Sequence, residues 1–244
     1  MTILKTDTVS GIGTEGTVFE GDITFDSLNY MTLPKGTTAQ SNRGRIVWAG
    51  GTDGANQKYI QYVQAQSQGN AEDFGSLSSI NAGPGAVASS TRACFGGGSN
   101  HPSYNWNTIE YVTIATTSNT TDFGDMATSR MNMSGGGCSS NTRGLFAGGV
   151  NLPSVTGYNL IDFITIATTG NSQDFGDLTV GGQGVGASSN SLRGVFGGRT
   201  NPSKQNVIDY VDIATTGNAS DFGDMTSIIA NPNGTSDSHG GLSE

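Results

Sequence analysis

The chain has 244 residues, with 11 Lys+Arg against 20 Asp+Glu and a formal net charge of -9. It lacks the basic side chains that neutralise phosphates, which excludes general nucleic-acid binding. Charged residues are only 13% of the chain and Gly fills 38 positions, so a helical protein is excluded and any core must be glycine-rich and sheet-like.

Residues 1–42 come first and differ in texture from the rest. Short alternating stretches such as TVFEGDITF and YMTLP sit between Gly, Asp and Asn turns. So light a β segment is not expected to fold alone, and 1–42 is read as an attachment or oligomerisation segment. Its GIGTEG string at 11–16 matches a dinucleotide-binding pattern, but no buried strand precedes it and no helix follows, so it is read as a β-turn. The opening MTILKTDTVSGIGTEG has no signal-peptide apolar stretch, and no run reaches the roughly 18 apolar residues of a membrane span. No membrane insertion is expected, and work outside a cell would need delivery by something other than an encoded secretion signal.

From residue 43 the chain repeats. Aligned on an Arg before a short apolar strand, it reads RGRIVWAGG from Arg43, RACFGGG from Arg92, RGLFAGG from Arg143 and RGVFGGR from Arg193. A second block follows each: YIQYVQAQSQGNAEDFGSL, TIEYVTIATTSNTTDFGDM, LIDFITIATTGNSQDFGDL and VIDYVDIATTGNASDFGDM. A period near 50 with a glycine pair closing a strand is the signature of a kelch-type β-propeller blade. The IDYVDIAT-type runs read as strands buried on both faces. The ATTGN runs read as turns, with Gly170 and Gly217 expected to supply positive φ. Small polar runs before each Arg, AVASST (86–91), GCSSNT (137–142) and ASSNSL (187–192), read as inner strands crowded at a narrow axis.

The expected fold is therefore all-β: a small kelch-like β-propeller of four repeats, near 43–91, 92–142, 143–192 and 193–244, after a short N-terminal β attachment segment. GTSDSHGG (234–241) aligns with GCSSNTRG (137–144) as a further inner strand. It is expected to complete the first repeat, with GTTAQSN (36–42) as the rival filler.

The segment FDSLNYMTLPKGTTAQS followed by RGxFxGG and IDYVxIATTGNxxDFGD repeats resembles virion proteins of tailed bacteriophages, especially fibre-type proteins of phages infecting marine bacteria and cyanobacteria. The resemblance covers essentially the whole chain. It implies a virion structural protein, a tail or capsid fibre or tip that contacts the host surface. Its implied partners are other virion proteins and a host glycan or protein, with a homotrimer as the favoured oligomer. It implies no cofactor and no catalytic residues, with assembly in the host cytoplasm and release by lysis. The chain departs from ordinary kelch repeats in lacking the usual Trp of the last strand. Trp48 and Trp106 are irregularly placed, and Phe74, Phe123, Phe175 and Phe222 are expected to fill that role.

Motifs with chemical overtones have structural readings. The DFGD strings at Asp122, Asp174 and Asp221, with DFGS at Asp73, lack the other kinase elements; a fourth strand is expected to start at them, and their acids read as a repeated structural turn. No metal is expected, and calcium on Asp122/Asp125, Asp174/Asp177 or Asp221/Asp224 is the alternative. The repeated arginines are expected to reach Glu110, Asp162 and Asp209 as scaffold, the alternative being an anion-binding ring. Cys94 and Cys138 lie far apart, which excludes a zinc ribbon, a redox pair and a disulfide-rich scaffold. His101 and His239 are too few for a triad or a histidine metal site. A glycosidase would need paired carboxylates at defined separation, whereas the acids here recur with the repeat.

Variation concentrates in the connections between second and third strands: TDGANQKY, SNHPSYNWN, VNLPSVTGYN and RTNPSKQN. Binding residues tend to sit on loops carried by a rigid scaffold. His101, Tyr104, Trp106, Asn151, Tyr158, Asn201 and Lys204 are the candidates for ligand or host contact, suited to sugar faces or to protein. The expected function is a non-enzymatic phage virion protein mediating assembly and host-surface binding. The alternatives are a cement or decoration protein without a receptor role, a propeller enzyme acting on glycans, and a cellular kelch adaptor.

Overall fold

The computed structural model describes residues 44–236, leaving aside 66, 101–103, 132, 134, 152–156 and 201; of Tyr104 and Asn105 it describes the backbone only. The chain divides between Ser41 and Asn42, and every described residue belongs to the second unit. The attachment segment, GIGTEG, GTTAQSN, Arg43, His101, Asn201 and His239 lie outside the described residues.

All described elements are strands, in four antiparallel sheets that follow the repeats in order and one separate two-stranded hairpin. The first holds β1 (Arg45–Ala49), β2 (Tyr59–Gln64) and β3 (Glu72–Ser76). In the second, β4 (Gly85–Ala88) and β5 (Arg92–Gly96) are followed by a small hairpin of β6 (Ser99–Asn100) and β7 (Tyr104–Asn105), then by β8 (Thr108–Thr113) and β9 (Thr121–Asp125). The third runs β10 (Gly137–Ser139), β11 (Arg143–Ala147), β12 (Leu160–Thr165) and β13 (Gln173–Asp177). The fourth runs β14 (Gly186–Ser189), β15 (Arg193–Thr200), β16 (Lys204–Asp212) and β17 (Ser220–Ile229). The small polar runs are indeed the innermost strands. Where these strands touch only glycine fits, as at Gly137, where a Cβ would lie 2.2 Å from the Ala86 carbonyl oxygen of the neighbouring inner strand.

Register corrects the alignment of the first repeat. Arg45 pairs with Gln64 as Arg92 pairs with Thr113 and Arg143 with Thr165. The repeated arginine of the first sheet is thus Arg45, not Arg43, and Trp48 falls at the position of Phe95, Phe146 and Phe196. The first sheet has no inner strand among the described residues. Pro232 to Ser236 belong to no strand, yet they run beside β14, where a Cβ on Gly234 would lie 3.0 Å from the Ala187 carbonyl oxygen. The remainder of GTSDSHGG lies outside the described residues.

Each sheet buries one face against the next, so the core is split into three clusters, one per junction. Ile60, Phe74 and Leu77 meet Ala93, Phe95 and Val112 at the first junction. Ile109, Phe123 and Met126 meet Phe146 and Ile164 at the second. Ile161, Phe175 and Leu178 meet Phe196 and Val211 at the third. Fully burying such an aliphatic or aromatic side chain is worth about 1.5–3 kcal/mol, and no sheet obtains that burial without a neighbour. Phe74, Phe123 and Phe175 thus fill the role expected of them at 2–3% exposure, whereas Phe222 is 56% exposed.

The DFG segments, where the sequence places the start of a fourth strand, are the outer strands β3, β9, β13 and β17; the turn read for their acids is not found there, and their glycines explain the fixed motif. Gly75, Gly124, Gly176 and Gly223 all have φ between 134 and 147°, which disfavours any other residue. At the junctions, turn backbone of the next sheet also presses on this glycine: a Cβ on Gly75 would lie 2.2 Å from Ser118 O, and one on Gly176 would lie 2.4 Å from Gly217 O. The expected positive φ at Gly217 is not found, and the equivalent residue of the second repeat is Ser118. The constraint therefore sits on the DFG glycine, not on the turn it touches.

Candidate functional site

The repeated side chains form a frame, and the frame is held largely by backbone partners. Each arginine lies over an aromatic ring of its own sheet, Arg45 on Tyr62 at 4.4 Å, Arg92 on Tyr111 at 4.5 Å, Arg143 on Phe163 at 4.7 Å and Arg193 on Tyr210 at 4.8 Å. Those rings meet Phe74, Phe123, Phe175 and Phe222 edge to face, a favoured quadrupole geometry. Pinned in this way, Arg45 donates to Ile114 O at 2.7 Å, Arg92 to Ala167 O at 2.9 Å and Arg143 to Ala214 O at 2.8 Å, each in the next sheet's turn. The expectation that these arginines reach Glu110, Asp162 and Asp209 is therefore corrected. The guanidiniums of Arg45, Arg92 and Arg143 are engaged with carbonyls, which leaves little of these three for an anion-binding ring. Asn119, Asn171 and Asn218 complete the frame by accepting the backbone N–H of Ser76, Asp125 and Asp177 at 3.0–3.1 Å.

The three strand acids have other partners. Glu110 accepts the Ser78 hydroxyl and, at 3.0 Å, the Thr120 hydroxyl. Asp162 accepts from Arg130 at 2.6 Å, and Asp209 from Arg199 at 2.8 Å, with both arginines fully buried. An acid inside a strand buried on both faces demands a partner, so the sequence signals that one exists. It does not signal which, because Arg130 and Arg199 lie outside the repeat pattern. Burial pushes the Asp162 carboxyl above its ordinary value, with Arg130 pulling it part of the way back, and the same burial lowers the Arg130 guanidinium.

The variable connections are anchored at their bases and diverge beyond them. Gly51, Gly98 and Gly149 donate their N–H groups to Asn81, Arg130 and Gly182 carbonyls at 2.8–2.9 Å, and Asn81, Arg130 and Gly182 donate in turn to Gln57, Trp106 and Tyr158 carbonyls. This returns each connection to the segment entering the next sheet. Beyond these bases the shapes differ: a Thr52–Asn56 bridge, the β6–β7 hairpin, a Val150–Gly157 bridge, and the extended β15–β16 pairing of Thr200 with Lys204.

Of the sequence candidates, Trp106, Asn151, Tyr158 and Lys204 are described in full. Trp106 and Tyr158 are half-buried at connection bases, Asn151 is half-buried and engaged in an interaction of its own, and Lys204 is exposed at the start of β16. The Trp106 indole lines a cavity of about 30 Å³ with Ser78, Phe95 and Glu110, and its Nε1 is buried with no hydrogen-bond partner. Such a space holds about one water, so this side chain faces the first junction as well as the connection. The backbone of Tyr104 lies in the β6–β7 hairpin.

At the opposite end of the sheets a cavity of about 560 Å³ is lined by Arg45, Ile46, Ser89, Ser139, Asn190 and neighbours. Its lining mixes small polar residues with apolar ones such as Ile46, Phe95 and Ile114, and Arg45 is its one charged residue among those described. Several of its polar groups are committed, since Ser89, Ser140 and Asn190 accept the N–H groups of Arg92, Arg143 and Arg193 at 2.7–3.2 Å.

The acids weighed for calcium, Asp122/Asp125, Asp174/Asp177 and Asp221/Asp224, lie on strands and not in a ligand-gathering turn. Asp122 and Asp221 accept the N–H of Gly124 and Gly223. Asp174 is placed opposite Asp162, and Asp125, Asp177 and Asp224 are placed opposite Thr108, Leu160 and Val207, with Asp224 exposed on β17. Among the described residues no group of three or more His, Cys, Asp or Glu converges. No described helix is long and apolar enough to cross a membrane. No protein-family model matches the chain, and no curated protein shows significant similarity to it.

Proposed function

We propose that this chain is a non-enzymatic structural protein of a tailed-phage virion. In this reading it is a tail or capsid fibre or tip component, a propeller-like array of four sheets whose variable connections meet the host surface while its frame assembles with other virion proteins. The observation that carries the reading is the division of labour within each repeat. Three successive junctions reuse one bonding set of arginine, asparagine, phenylalanine and glycine. The connections at one end share only their bases and differ beyond them. A constant frame with divergent tips is how rigid scaffolds present binding loops. The resemblance of the repeats and of the FDSLNYMTLPKGTTAQS junction to phage fibre-type proteins supplies the virion context.

The test is the composition of purified particles, with this chain traced or labelled in reconstructions. Detection in particles with the β6–β7 connection outward supports the reading, and absence from particles overturns it. One observation favours a second reading, a cement protein without a receptor role: large apolar side chains, Trp48 and Phe222, are exposed at the two ends of the array, as suits contact with neighbouring protein. Competition separates the two. Purified protein that blocks adsorption of particles to host cells supports host contact, and particle-borne protein that leaves adsorption unchanged supports the cement role.

A further inference from the structure

The two ends of the array carry the two halves of a junction that the chain leaves unmade. Phe222 and Met225 stand on β17 where Phe123 and Met126 stand on the second sheet, yet Phe222 is 56% exposed against 3% for Phe123. At the other end Trp48 occupies the position of Phe95, and it is 54% exposed against 5%. A Cβ on Gly223 would meet nothing within 4 Å, whereas its three counterparts meet turn backbone. Among the described residues Arg193 finds no turn carbonyl, and it sits 3.5 Å from the exposed Asp212, a weak surface pair.

Three near-identical steps that closed a ring at four sheets would have brought Phe222 onto Trp48. They do not, so the partner that fits each end is the other end of another molecule. We propose that copies of this chain associate head to tail, the fourth sheet of one docking on the first sheet of the next and recreating the inter-sheet junction. The matching groups are present. The turn carbonyl at Ala65 stands where Ile114 receives Arg45, and the exposed Asn70 stands where Asn119 receives the N–H of Ser76. Gln61 replaces the buried acids Glu110, Asp162 and Asp209, so this face needs no guanidinium partner and can stand in water before docking. Pro232 to Ser236, already running beside β14, lie where the next sheet's inner strand belongs, a strand the first sheet does not have among the described residues. Such an interface is heterologous and builds a ring or an open filament according to its rotation.

The inference concerns the chain's own surfaces and stands whether or not the protein belongs to a virion, so full-length protein made away from any particle tests it. Light scattering over a dilution series should show masses at multiples of 25.0 kDa. Phe222→Asp and Trp48→Asp, both at exposed positions, should each leave monomer only. Mixing the two should restore a dimer and nothing larger, because each variant keeps one intact end. Oxidising the Trp48→Cys/Phe222→Cys double variant should give a ladder of crosslinked chains on a denaturing gel, Cys94 and Cys138 being buried. A wild type that is monomeric throughout overturns the proposal. So does a crosslink confined within one chain, which would mean closure of the array on itself, or an oligomer that neither aspartate variant disturbs.

Discussion

The first junction and the two that follow bury an acid at the same strand position but neutralise it differently. Glu110 is held by hydroxyls and a backbone N–H, from Ser78 and Thr120, with no cation. At the second junction Ala127 stands where Ser78 would donate, and Arg130 enters from the connection between β9 and β10. At the third, Thr179 and Arg199 both serve Asp209. The difference shows that the repeat preserves the need of a buried carboxylate, not the means of meeting it. Whichever donor lies within reach suffices, provided the lone pairs are satisfied.

Removing a buried cation should break this comparison most severely. Arg130→Met strands Asp162 and is expected to cost about 3–5 kcal/mol in urea unfolding. Adding Asp162→Leu should recover most of that loss, because an apolar pair of similar volume is often neutral or better. If the double variant is as unstable as the single one, Arg130 acts through its bonds to Gly148 O and Leu160 O rather than through the acid. Acidity sharpens the point. Burial already raises the Asp162 carboxyl, and a raised folded value gives stability that is present at low pH and lost as pH rises through that value. Without Arg130 to oppose it the raise grows, so the deficit of Arg130→Met should shrink as pH falls from neutral toward about 4.

Smaller effects follow where the partners are neutral or exposed. Ser78→Ala removes one of several donors to Glu110 and should cost about 1.5–3 kcal/mol, less than loss of Arg130. Arg92→Ala forfeits its carbonyl bonds and its ring contact and should cost about 1–2 kcal/mol, while Arg193→Ala should stay within about 0.5 kcal/mol in monomeric protein. Equal losses at the two would mean that the fourth sheet has a partner under the conditions used. Last, burial pushes the Cys94 and Cys138 thiols to about 12, so a thiol reagent should label neither in native protein and both after denaturation.

Much of the architecture was legible in the repeat. Glycine pairs, IDYV-type strands and DFG segments recur at a fixed spacing, and each corresponds to a strand or bend of the same kind in every sheet. Inner strands were legible from small residues alone, because a backbone approach like that of Gly137 to Ala86 admits nothing larger. The first repeat misled at Arg43, since RGR offers two arginines and only pairing with Gln64 selects Arg45. The DFG segments were legible as the start of a fourth strand, while the turn read for their acids misled: pairings such as Asp224 with Val207 place those acids within the strand. The variable connections were visible as variation. Their side-chain roles were not, because the Trp106 indole lines a cavity with Ser78, Phe95 and Glu110, residues that are distant from it or unremarkable in the sequence and meet it only in the fold.

By itself the sequence determined an acidic, glycine-rich, all-β chain of four repeats, because strand periodicity, turn chemistry and positive-φ glycines are local properties of the backbone. Tertiary structure alone decided which residues answer one another between repeats. Phe123 and Phe222 share the same local sequence, yet one is core and the other surface, because burial belongs to the neighbour and not to the residue. The same holds for Arg130 and Arg199, whose buried acids lie 32 and 10 residues away in the chain: Asp162 meets Arg130 at the second junction, and Asp209 meets Arg199 where β16 pairs with β15.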